Sequence, residues 1–136
     1  MGSRYYVGVG AIVGLVCLGL ALRSRIVFWN IPDNFRGWVT VTFDVPNCNQ
    51  QSHLFWTTVP IDQTGRGCSR FPFQGGWTVN RYAYIKADGS HTTLSSDGGT
   101  AVSALPLGYS SKYKTYEFFV GTEAERDKSW QSSPKP

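Results

Sequence analysis

Three kinds of residue could carry chemistry in this chain, and each is sparse. The two histidines, His53 and His91, stand apart, one ahead of an apolar stretch and the other just after an Asp-Gly step. Neither lies at ligand spacing from a cysteine, so neighbours in sequence assemble no zinc set. "DGSH", Asp88 to His91, could chelate weakly, but Asp-Gly is also among the strongest hairpin turns and explains the stretch more simply. Glu123, Glu125 and Asp127 form the one carboxylate cluster. They open a helical stretch, where negative charge complements the helix N-terminus, whereas a hydrolytic acid pair would face across a cleft. Serines and threonines are abundant, but none has an identifiable base beside it. No P-loop, G-x-S-x-G elbow, H-E-x-x-H pair or EF-hand loop occurs. The expectation is a chain without cofactor, metal or catalytic residue. A cell-envelope hydrolase is the alternative.

The cysteines carry more. Outside the N-terminal segment only Cys48 and Cys68 remain, without the C-x-x-C spacing of zinc or redox sites. They read as one structural disulfide, which implies an oxidising compartment. A closed loop of about 20 residues would stabilise the fold by roughly 3 kcal/mol in the chain-entropy description. Two unpaired buried thiols are the competing reading.

Five tryptophans and seven tyrosines are an unusual inventory for this length. In "NRYAYIK", Asn80, Tyr82, Tyr84 and Lys86 share one face of a strand. Such a strip could bind a sugar, a peptide or a partner protein, or serve a small-ligand carrier. Core packing is the competing explanation, because a core this small needs large side chains. The glycine-rich loop "RGCSRFPFQGGW" sets Arg66 and Arg70 beside Phe71 and Phe73 and ahead of Trp77, and function often sits on loops. Candidate binding residues are therefore Trp38, Arg66, Arg70, Phe71, Trp77, Tyr82 and Tyr84.

The elements that would hold them are short strands. "IVFWN" reads as a first edge strand, followed by a turn at Pro32 and Asp33-Asn34. "WVTVTFD" alternates, with Val39, Val41 and Phe43 on one face and Trp38 on the other. "HLFWTTVPI" is the next strand. Thr78 to Lys86 and Ser90 to Leu94 form a hairpin about Asp88-Gly89. The Ser- and Gly-rich "SSDGGTAVSALPLGYSSKYK" reads as a long loop with a short strand at Thr100 to Ala104, and "TYEFFV" as a last strand. Thr122 and Glu125 then have capping-box spacing, which starts a short helix running to about Trp130.

The N-terminus has a different solvent in view. Val7 to Leu22 is an unbroken apolar run, preceded by Arg4 and Tyr5-Tyr6 and followed by Arg23 and Arg25. With the tyrosines as interfacial anchors it approaches the roughly 20 residues of a spanning helix. It reads as a signal anchor, with cleavage after Ala21 as the alternative. Lipid attachment at Cys17 would require a small residue before it, and Val16 stands there. The net charge of +4 is modest and its basic residues are scattered, which argues against nucleic acid as a partner. The expected partners are the membrane, through the N-terminal helix, and an envelope protein or small ligand.

The fold expected is mainly β: a small antiparallel β-sandwich with an N-terminal transmembrane helix and a short C-terminal helix. Its parts are an anchor at 1–25, an exported β-domain at 26–130 and a disordered tail at 131–136. The stretches "IPDNFRGWVTVTFDVPNC", "VPIDQTGRGCSR", "YAYIKADG" and "FFVGTEAE" resemble an uncharacterised group of small bacterial exported proteins, lipoproteins or single-span anchored proteins whose domain is of unknown function. The resemblance covers roughly Asn30 to Asp127. It implies a compact β-domain of transthyretin-like or carboxypeptidase-regulatory-like shape, and it brings no catalytic residues. Val16 departs from the lipoprotein members at the lipidation signal.

Overall fold

The computed structural model describes residues 12–15, 26–53, 55–73 and 78–132. Nine strands run β1 Ile26–Pro32, β2 Gly37–Thr42, β3 Gln51–Ser52, β4 Thr57–Pro60, β5 Arg66–Cys68, β6 Val79–Ile85, β7 His91–Leu94, β8 Ser103–Ser110 and β9 Thr115–Gly121, and a helix, α1, spans Glu123–Ser132. They form a five-stranded sheet of order β3-β4-β1-β6-β7 and a four-stranded sheet of order β5-β2-β9-β8.

Strand β1 overturns two expectations. It is the centre of its sheet, not an edge, and it pairs in parallel with β4 and with β6. The sheets are therefore mixed, not purely antiparallel, and β2 and β5 are also parallel. The composition of β1 accounts for this. "IVFWNIP" is apolar almost throughout, as suits a strand with neighbours on both sides. The chain leaves β1 for the second sheet, and that detour gives it room to return alongside in the same direction.

The remaining strands follow their patterns more closely. In β2 and the residue after it, Val39, Val41 and Phe43 are buried as their alternation predicts. The β6–β7 hairpin forms with Tyr82 opposite Leu94 and Ile85 opposite His91, and Gly89 takes φ 80° in its turn. "HLFWTTVPI" becomes a strand only from Thr57. In place of a short strand at Thr100 to Ala104, β8 has eight residues, with a register shift between Pro106 and Gly108. The helix includes Gln131 and Ser132, which the sequence had assigned to the tail.

One core lies between the sheets. Trp29 and Ile31 from β1 meet Val39 and Val41 from β2, Val59, Tyr82 and Leu94 from the first sheet, and Tyr116, Phe118 and Val120 from β9. Cys48 and Cys68 are joined, with Sγ atoms 2.06 Å apart, so the exit of β2 is tied to the end of β5. Most of the expected spanning segment lies outside the described residues. Among those described, no helix is long and apolar enough to cross a membrane.

Candidate functional site

The buried centre is aromatic. Trp29 stacks on Tyr116 at 5.4 Å between ring centroids and on Tyr82 at 6.4 Å. Its indole N–H donates to Asn80 Oδ1 at 3.0 Å. The hydroxyls of Tyr82 and Tyr116 share a hydrogen bond of 2.8 Å in the core. Burial, then the neighbouring Tyr116, pushes the Tyr82 phenol far above its ordinary value, and burial also raises that of Tyr116. Both are held neutral and neither is poised for acid–base work at physiological pH.

This arrangement decides what the strand-face strip can be. Tyr82 is 2% exposed and belongs to the core, so it is not a surface binding residue. Tyr84 is partly buried and donates its hydroxyl to the Phe35 carbonyl at 2.7 Å, which fastens the β1–β2 turn. Asn80 is used on Trp29. The face that alternation groups together is the inner face of the sheet.

Trp38 lies on the outer face of the four-stranded sheet, beneath α1. Its indole N–H donates to Ser129 Oγ at 2.9 Å, and its rings contact Phe119 at 5.2 Å and Trp130 at 5.5 Å. The helix is held at its start as well. Thr122 N–H donates to Glu125 Oε2 at 2.7 Å, and Glu125 N–H donates to Thr122 Oγ1 at 3.2 Å, which is the predicted capping box. The Thr122 N–H bond, with the Thr122 side chain, holds the Glu125 carboxyl below its ordinary value, and Arg36, 2.7 Å from it, adds to this.

The loop residues separate. Arg66 begins β5 and is exposed; its backbone N–H, with the Thr64 hydroxyl and N–H, donates to Asp62 Oδ1. The Thr64 hydroxyl first, then the Arg66 N–H, holds the Asp62 carboxyl below its usual value. Arg70 reaches the other end of the strand, where its N–H donates to the buried Gln50 Oε1 at 2.7 Å and its guanidinium to the Gln50 carbonyl at 3.2 Å. Phe71 is exposed beside it. Trp77 lies outside the described residues. The six described candidates thus do not converge on one site.

Sequence reasoning missed a different grouping. Phe73 stacks flat on Tyr109 at 4.1 Å, with Phe43 edge-on to both at 5.3 and 6.0 Å. His53 stacks on the exposed Trp56 at 4.9 Å. The signals were present as isolated aromatics in loops, but only the strand register brings them to one end. Among the described residues no group of three or more His, Cys, Asp or Glu side chains could hold a metal ion.

The profile of a family described as "Family of unknown function (DUF6843)" matches residues 27–129. A crystal structure from Bacillus anthracis, titled "Putative Lipoprotein", shares the fold at a TM-score of 0.50 and 15% identity, covering 81% of this chain and 80% of its own. No curated protein matches.

Proposed function

We propose, from the premise that this chain belongs to the family of unknown function DUF6843, that it is a membrane-anchored, extracytoplasmic β-domain that acts as a binding or envelope-structural module without catalysis. The observation that supports this most is how the polar side chains are employed. Asp62 closes a turn, Glu125 caps the helix and takes Arg36, Lys114 pairs with Asp44, Arg70 fastens Gln50, and the two buried tyrosines bond to each other. Each of these contacts builds the scaffold, and none leaves a nucleophile beside a base. The Cys48–Cys68 pair suits an oxidising compartment. The apolar run Val7 to Leu22 and the lipoprotein title of the structural neighbour both favour attachment to a membrane.

Three measurements test this reading. Alkaline carbonate extraction of native membranes should leave the protein in the pellet; release into the supernatant counts against anchoring. Crosslinking and co-purification from the same membranes should recover a reproducible envelope component. Turnover of a cell-wall or ester substrate that tracks the pure protein through purification would replace the module with the hydrolase.

A further inference from the structure

The strand directions give the domain two unlike poles. The starts of β1, β4 and β6 lie together, because Val27 pairs in parallel with Thr57 and Ile26 with Val79. The link from β1 to β2 spans only residues 33–36, so β2 begins at the far pole and finishes, at Thr42, near where β1 began. β5 runs parallel to β2, and β9 starts at Thr115 opposite Thr42, so the β8–β9 turn shares the near pole. Side-chain contacts agree: Phe73, shortly before β6, stacks on Tyr109 of β8, and Lys114, ahead of β9, meets Asp44, just after β2, at 2.8 Å.

Exposed aromatic side chains gather at the near pole. Phe55 and Trp56 occupy the β3–β4 turn, Phe71 follows β5, and Tyr113, 64% exposed, tips the β8–β9 turn. Among the described residues, the connections there (43–50, 53, 55–56, 69–73 and 111–114) carry Arg70, Lys112 and Lys114 against one carboxylate, Asp44. The turns of the far pole, 33–36, 61–65 and 86–90, expose Asp33, Asp62 and Asp88 with Arg36 and Lys86 among them, and no large apolar side chain among the described residues, while the half-exposed Trp130 of α1 packs on Trp38 on the sheet face. Residues 1–25, with the apolar run and Arg23 and Arg25, join the domain at Ile26, on the aromatic pole.

We infer that this pole seats on the bilayer surface, with Phe55, Trp56, Phe71 and Tyr113 at the level of anionic lipid headgroups and Lys112 against them. The inference rests on the anchored reading above and adds an orientation to it. A tether alone would let the domain tumble, whereas Trp and Tyr are the side chains that favour the membrane interface, and lysines beside them are drawn to anionic headgroups. The far pole then faces away from the lipid.

The test uses the full chain, carrying Cys17→Ser, reconstituted into vesicles of phosphatidylcholine with about one-quarter phosphatidylglycerol. A fluorophore is placed through Trp56→Cys, Tyr113→Cys or, at the far pole, Ser90→Cys, with the disulfide left intact. Nitroxide-labelled lipid should quench the labels at 56 and 113 about twofold or more over that at 90, as expected for groups at interfacial depth. Adding Lys112→Glu should reduce the quenching at 113. Equal quenching at all three positions, in protein that floats with the vesicles, overturns the seated pole and leaves anchoring intact. Protein that fails to float with the vesicles overturns both.

Discussion

Trp38 and Ser129 are 91 positions apart in sequence and 2.9 Å apart in space. That bond, with the Phe119 and Trp130 rings on either side, fastens the terminal helix to the outer face of the four-stranded sheet. Removing only the bond, by Ser129→Ala, should cost about 1 kcal/mol in urea unfolding. Trp38→Ala also removes the packing and should cost about 3 kcal/mol. Hydrogen exchange should then show the helix amides losing protection ahead of β9; unchanged protection would mean that the capping box alone holds the helix.

The Tyr82–Tyr116 pair makes a double-mutant cycle informative. Tyr82→Phe or Tyr116→Phe leaves one hydroxyl alone in the core and should cost about 1–2 kcal/mol. The double variant should cost clearly less than the sum of the singles, because no orphan remains. Strict additivity would show that the hydroxyls do not depend on each other.

The same two phenols set an alkaline limit. Their folded values are raised, chiefly by burial. Below the ordinary tyrosine value of about 10, folded and unfolded chains both keep these protons and stability is complete. Above it the unfolded chain releases them and the folded chain does not, so stability falls as pH rises. Chemical denaturation between about pH 8 and 11 should show this decline, and Tyr82→Phe should make it shallower. A flat profile would contradict the neutral buried pair.

Gly65 occupies a position with little tolerance. Its φ is 77°, and a Cβ there would meet the Trp38 carbonyl oxygen and, at 2.7 Å, the Phe35 ring. Gly65→Ala should therefore destabilise by more than about 1 kcal/mol. The exposed Gly89, at φ 80° with open space around a Cβ, should tolerate alanine better. Thermal unfolding of the two variants side by side checks the ranking.

Reducing the Cys48–Cys68 bond should lower stability by about 3 kcal/mol, given a separation of 20 residues. Non-reducing mass mapping of protein from native membranes should find the two cysteines linked. Free thiols at both would remove the support for an oxidising compartment.

Much of this was readable along the chain, and the failures have physical causes. The alternation of Val39, Val41 and Phe43, the Asp-Gly turn and the Thr122–Glu125 cap are local, so they survive without knowledge of neighbours. The parallel pairing of β1 depends on which strands return beside it, and an apolar run does not encode that choice. β8 was hidden by Ser, Gly and Pro106, which local preference assigns to a loop, while pairing with β9 extends it as a strand. The docking face of α1 was equally obscure, since "EAERDKSWQS" has no apolar period and one tryptophan sets the contact. The aromatic pole needed the register, because its members come from loops that are distant in sequence.

The sheet margins have a consequence for the domain at high local concentration. β3 has two residues and β5 three, while the longer outer strand β8 carries a proline and a register break. β7, the remaining outer strand, has only four residues, so such borders give another chain few backbone donors and acceptors in line. Many copies can then stand side by side at high local concentration without their sheets fusing into fibres, so any assembly they form has to be built by side chains.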